Sequence, residues 1–268
     1  MYKMVAVDLD DTLLNDEFQV TDVNRETIRK VLELGIKVCI VSGRSYGSFK
    51  KYIKDLGINH LCGSLNGANV TDPRTDKRVF GLAIDSDICY EILKVIEPLG
   101  IHVNYYHDQK VVCSEKTQHA IEYMKLTGTE IEFVGALKEY HKKAQAGKLL
   151  LIDTREKLDT VRQSLSTRYR DRVNFCYSKP NFLEAFNIHT SKGQAVKFIS
   201  EHYGIKPEEI IAIGDGENDI AMLEFAGLGI TLANSSDKVK SKADYITTSN
   251  NESGVAFALK KFIFTNMD

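Results

Sequence analysis

The stretch Met4-Val5-Ala6-Val7-Asp8-Leu9-Asp10-Asp11-Thr12 decides how this chain is read. A short apolar run that gives way to acids is a buried strand with polar groups at its C-terminal end. Working outward, Val23, Ile28, Val31 and Leu32 fall on one face of a helix from about Asp22 to Leu34, which Gly35 stops. Ile36–Val41 is a second buried strand, broken by Ser42-Gly43. A helix follows to Leu56, and a third strand leads into Asn66-Gly67. Strands alternating with helices predict a parallel sheet covered on both faces.

The rhythm changes after about residue 83. A helix marked by Ile88, Ile92, Val95, Ile96 and Leu99 precedes a hairpin, His102–Tyr106 with Lys110–Ser114. A further helix, the strand Lys148–Asp153, the helix Arg155–Tyr169 and the pieces Val173–Tyr177 and Phe182–Asn187 complete this section. That order predicts an α+β insert with an antiparallel sheet. From Lys192 the parallel pattern returns: a helix to Tyr203, strand Ile210–Ile213, helix Asp219–Ala226, strands Leu228–Leu232 and Tyr245–Thr247, and helix Ser253–Phe264. The predicted architecture is an α/β, doubly wound, mostly parallel sheet formed by residues 1–82 and 189–268, interrupted by an α+β domain at 83–188.

Composition narrows the function classes. Over 268 residues, 35 Lys and Arg against 37 Asp and Glu leave a net charge of −2, which argues against a nucleic-acid partner. Apolar residues make up 43% and charged residues 27%, a globular balance. The longest apolar runs are strand-sized, so no membrane span is expected. Acids at positions 8, 10 and 11 leave no room for a signal peptide, so a cytoplasmic protein is expected. The five cysteines, an odd number without zinc-like spacing, fit that compartment. No heptad repeat marks an oligomer.

Four pieces carry the chemistry, each at a strand end or helix start, where ligands of open α/β sheets bind. On an extended chain Asp8 and Asp10 would share a face, and like charges that close need a cation, a shared proton or water. Ser42-Gly43-Arg44 offers a hydroxyl beside a backbone that can approach an anion. Lys192-Gly193 opens a helix, whose N-terminus already favours an anion. Gly214-Asp215-Gly216-Glu217-Asn218-Asp219 gathers three acids and an amide behind a buried strand, the oxygen-rich set that suits Mg²⁺. Each piece alone also reads as an ordinary turn or a solvated charge; the combination and order do not.

In that order, DLDDTLL, VSGR, NGA, SKG and GDGENDI resemble the haloacid dehalogenase phosphatase superfamily, and within it the Cof-type phosphatases with a large α/β cap of the C2 type. The resemblance implies that Asp8 is a nucleophile forming an aspartyl-phosphate and that Asp10 is the general acid and base. It implies Mg²⁺ held by Asp8, the Asp10 backbone carbonyl and Asp215. Phosphate oxygens would be held at Leu9, Ser42, Gly43, Lys192 and Asn218. Thr12 and Asp219 would support these groups from behind, and Arg44, Asn66 and Gly67 would line the substrate site. Asp11 departs from the glycine that many superfamily members carry there. The implied reaction is hydrolysis of small phosphorylated metabolites, sugar phosphates foremost, with the inserted domain choosing the leaving group. A phosphomutase or phosphotransferase shares this layout, and a sensor of phosphorylated metabolites is the non-catalytic alternative.

Overall fold

The computed structural model describes residues 1–265. It divides into two compact units. One comprises Met1–Arg44, Phe49–Val79 and the chain from Ser191 onward; the other comprises Ser45–Ser48 and Phe80–Thr190. Ser45–Ser48, inside the 1–82 segment of the sequence reading, thus groups with the second unit.

The first unit is built on five parallel strands in the spatial order Tyr245–Thr247, Leu228–Leu232, Ile210–Ile213, Met4–Val7 and Lys37–Ile40. Ala6 lies opposite Ala212 on one side and Cys39 on the other. Every residue of Met4–Val7 and of Ile210–Ile213 is buried, as expected of strands covered on both faces. Each fully buried Ile or Val there contributes roughly 1.5–3 kcal/mol relative to exposure. The helix Asp22–Glu33 is capped by Thr21, whose hydroxyl accepts from the Asn24 N–H. The helix Lys192–Tyr203 is capped in the same way by Ser191 and Gln194.

The third strand differs from the sequence expectation. Cys62–Ser64 touches the parallel sheet at one bridge, Val41 to Gly63, and pairs antiparallel with Asn69–Asp72. With Lys77–Gly81 it makes a separate three-stranded sheet. The two added strands escape a pattern reading because one is polar though buried, Asn-Val-Thr-Asp, and the other is almost wholly exposed. The last helix also differs, running Gly254–Leu259 before widening into a π-type turn over Lys260–Phe264.

The second unit carries a six-stranded sheet ordered Val173–Lys179, Phe182–Asn187, Lys148–Ile152, His102–His107, Lys110–Cys113 and Glu132–Phe133. Its pairings are antiparallel except the last, Val112 to Glu132. One sheet face, with Val103, Tyr105, Leu149, Leu151, Leu183 and Ala185, joins the helices Ser86–Ile96 and Arg155–Tyr169 in an apolar core. The other face is polar at its centre, where Lys148 Nζ donates to Glu184 Oε1 at 3.1 Å with both side chains buried. Among the described residues no helix is long and apolar enough to cross a membrane.

Candidate active site

Four chain segments of the first unit meet at the carboxyl ends of its parallel strands. At the end of Met4–Val7 the chain does not run on extended. Leu9–Leu13 winds into a π-type turn, closed by Leu14 N–H donating to the Leu9 carbonyl at 2.9 Å. Within the turn Asp11 has φ 53°. Glycine takes that left-handed conformation freely, and Asp is among the few side chains that tolerate it. The residue at 11 therefore answers to backbone geometry, and its carbonyl is held by Asn234 Nδ2 at 2.9 Å.

The turn sends the two carboxylates to different cations. Asp8 is buried, 6% exposed, and accepts from Lys192 Nζ at 2.6 Å. Asp10 is half-exposed and forked by Arg44, whose Nε donates to Oδ2 at 2.7 Å while Nη2 donates to Oδ1. Bidentate guanidinium–carboxylate pairs are the stronger kind of ion pair. Burial works against the Arg44 charge, but the hydrogen bond and charge of Asp10 more than offset it and hold its pKa above the ordinary value. The sequence reading set Asp8 and Asp10 on one face, where like charges need a cation, a shared proton or water; the structure gives Asp10 the Arg44 guanidinium.

Lys192 is 1% exposed and bridges two acids, Asp8 and Asp219, each at 2.6 Å. Burial alone would lower its pKa, yet the charges of Asp219 and Asp8 hold it well above the usual lysine value. Gly193, next to it, lets the helix Lys192–Tyr203 press onto Ile220–Phe225, because a Cβ there would lie 2.4 Å from the Ala221 carbonyl oxygen. Asp219 is wholly buried, and its second oxygen accepts from the N–H groups of Asp215 at 3.0 Å and Gly216 at 2.8 Å. Asp215 accepts from the Thr12 hydroxyl at 2.6 Å.

Asp8, Asp215 and Asp219 each place a carboxylate oxygen within 4.8 Å of the others. Burial, with the charge of Asp219, pushes the Asp8 carboxyl well above the ordinary carboxylate range, Lys192 pulling the other way. Burial likewise pushes Asp215 up to about 7; the Thr12 hydrogen bond resists this, and Asp219 and Asp11 add to it. Three carboxylates facing one ammonium leave a surplus of negative charge in a buried place. A hard divalent cation fits such a donor set.

Leu9 is buried at the start of the turn. Ser42 is also buried, and its Oγ accepts from the Arg44 N–H at 3.1 Å. A Cβ on Gly43 would lie 3.0 Å from Asn66 Oδ1, so these two lie side by side. Asn66 Oδ1 accepts from Asn218 Nδ2 at 2.9 Å. Gly67 packs against the Ser191 carbonyl at the head of the lysine-bearing helix. All the candidate residues thus lie in one unit. Sequence reasoning missed Asn234, whose hold on the Asp11 carbonyl has no local sequence signal, and Leu65, whose φ of 53° nothing in an apolar residue announces.

Comparison with known proteins gives a consistent picture. A family profile for haloacid dehalogenase-like hydrolases matches residues 5–259. The 5-amino-6-(5-phospho-D-ribitylamino)uracil phosphatase YitU of Bacillus subtilis is 29% identical, with 97% of each chain covered. A solved Thermotoga maritima protein, TM0651, is 32% identical with a TM-score of 0.89 over 98% of each chain. A haloacid dehalogenase-like hydrolase from Bacteroides thetaiotaomicron is 27% identical, with a TM-score of 0.89 over 98% of this chain and 100% of that one.

Proposed function

The chain belongs to the haloacid dehalogenase-like hydrolase family, and from that premise we propose that it is a Mg²⁺-dependent phosphatase of small phosphorylated metabolites, sugar and polyol phosphates foremost, acting through an aspartyl-phosphate on Asp8. The observation that carries this reading is the pairing of Asp8 with Lys192 beside Asp215 and Asp219 in a buried cluster. The ribityl phosphate named for the Bacillus relative supports a polyol leaving group. A cytoplasmic setting accords with five free cysteines.

In the proposed reaction the Asp8 carboxylate attacks phosphorus, and the bond to the leaving oxygen breaks as that oxygen takes a proton from Asp10. Asp10 then takes a proton from water, whose oxygen attacks the aspartyl-phosphate, frees phosphate and restores Asp8. Lys192, with Ser42, Gly43 and Asn218, faces the charge that develops on the phosphoryl oxygens. Asp8, Asp215 and the Asp10 carbonyl would hold Mg²⁺, with Thr12 and Asp219 fixing Asp215 and its loop from behind. The ion, when bound, neutralises charge on the acids and on the phosphoryl group. Asp10 needs a proton for the first step, so Arg44 has to loosen its fork on that carboxylate as substrate arrives.

The test is phosphate release from a panel of phosphorylated metabolites, with Mg²⁺ and with EDTA. Asp10→Asn is expected to lose roughly 10²–10⁴-fold on alkyl and sugar phosphates, and much less on p-nitrophenyl phosphate, whose leaving group needs little help from an acid. Isomerised sugar phosphate without free phosphate would overturn hydrolysis in favour of phosphoryl transfer to a sugar. Tight binding without turnover would favour a sensor.

The raised carboxyls give a metal prediction with a definite sign. Asp8 and Asp215 hold protons more tightly folded than unfolded. The stability this confers is present below their ordinary values near 3.8 and is lost as pH rises through about 7 for Asp215. Metal-free protein should therefore melt lower at pH 8 than at pH 5, and Mg²⁺ should raise the melting temperature more at pH 8. Scanning fluorimetry with and without EDTA reads both effects; an Mg²⁺ shift that is larger at pH 5 would count against this cluster as the cation site.

A further inference from the structure

Three consecutive residues, Leu65, Asn66 and Gly67, have left-handed backbones, with φ of 53°, 57° and 93°. Such conformations in side-chain-bearing residues persist only where the surroundings over-determine them. Here the surroundings are three of the four segments that make the site. The Leu65 N–H donates to the Arg44 carbonyl at 2.9 Å and the Asn66 N–H to the Ser42 carbonyl at 3.1 Å. The Gly67 Cα lies so close to the head of the lysine-bearing helix that a Cβ would come 2.1 Å from the Ser191 carbonyl oxygen. The buried Asn66 side chain reaches Asn218, 152 positions along the chain. Asn218 is exposed, and an exposed amide without an anchor would sample several rotamers.

We propose that Asn66 is a positioning residue for phosphate recognition: its amide oxygen fixes the Asn218 amide, and the left-handed run sets Asn218 in register with the Ser42–Gly43 loop and the start of the Lys192 helix. Asn66 Oδ1 accepts from Nδ2 of Asn218, whose amino group carries two protons. With one proton directed to Asn66, the other is held ready for an oxygen of the incoming phosphoryl group. This inference rests on the phosphatase reading and gives Asn66, which the family resemblance set in the substrate site, the role of holding Asn218.

Asn66→Gly separates this role from a structural one, because glycine takes a φ of 57° without strain and deletes only the amide. The experiment titrates inorganic phosphate into wild type, Asn66→Gly, Asn218→Ala and the double variant by calorimetry with Mg²⁺, alongside p-nitrophenyl phosphate kinetics and melting temperatures. Loss of one oriented hydrogen bond is expected to raise Kd and KM together by about tenfold, with melting temperature nearly unchanged. Asn218→Ala should show the same loss, and the double variant no more than either single one. Losses that multiply in the double variant, or a Kd for Asn66→Gly equal to that of wild type, would overturn the proposal and leave the phosphatase reading standing. Wild type that neither binds nor releases phosphate would overturn both.

Discussion

Asp8→Asn should abolish phosphate release, by roughly four orders of magnitude or more as for other nucleophile deletions, while the protein stays folded and melts no lower than wild type. The amide matches the carboxylate in shape, and its oxygen still accepts from Lys192, which lies 2.6 Å from Asp8. It removes one of three carboxylates whose mutual repulsion, with burial, raises the Asp8 pKa. Stability and activity should therefore move independently. Phosphate release paired with a melting curve checks this, and turnover within tenfold of wild type would sink the assignment of the nucleophile.

Lys192→Met should be strongly destabilising. It leaves Asp219, wholly buried, without its ammonium and with two backbone N–H donors only. Breaking a buried ion pair on one side costs roughly 3–5 kcal/mol, a fall on the order of 10 °C for a chain of this size. The sign with pH follows from Asp8 and Asp215, both of which bind protons more readily than ordinary carboxylates. At pH 5 protonation relieves the cluster and the deficit should be smaller; at pH 8 the acids must stay charged and it should be larger. Melting curves at both pH values decide it, and a deficit that shrinks as pH rises would contradict the electrostatic account. Turnover should fall as well, because the same ammonium faces the phosphoryl oxygens in the proposed reaction.

What could be read from sequence divides along a physical line. Ile210–Ile213, Arg155–Tyr169 and Phe182–Asn187 occur with the bounds their apolar patterns predict, because burial on a regular element imprints a period on the residues. The polar strand Asn69–Asp72 and the exposed strand Lys77–Gly81 carry no such imprint. In the site, strand ends announce which loops gather, since their position follows from the direction of a parallel sheet. Partner choice is another matter. That Arg44 takes Asp10, that Lys192 takes both Asp8 and Asp219, and that Asn66 takes Asn218 depends on side chains brought together across 27 to 184 positions. Spacing along the chain says nothing about which of several nearby charges will pair. The π-type turn after Asp8 hides for the same reason, since its left-handed residue is an Asp rather than a glycine.

The order of strands has a consequence for how the protein is born. Met4–Val7 lies at the heart of the parallel sheet, yet its neighbour on one side is Ile210–Ile213. The Asp8 carboxylate finds its ammonium 184 residues later, and Thr12 finds Asp215 203 residues later. On a ribosome adding about 5–20 residues each second, the first strand waits roughly ten seconds or more for the partners that complete its sheet. The second unit, nearly continuous from Phe80 to Thr190, is finished first and can fold during that wait. Closure of so long a loop makes the last pairing slow. A nascent chain halted before Ile210 would leave one edge of Met4–Val7 unpaired and exposed to aggregation, and would lack Asp215 and Asp219 of the acidic cluster.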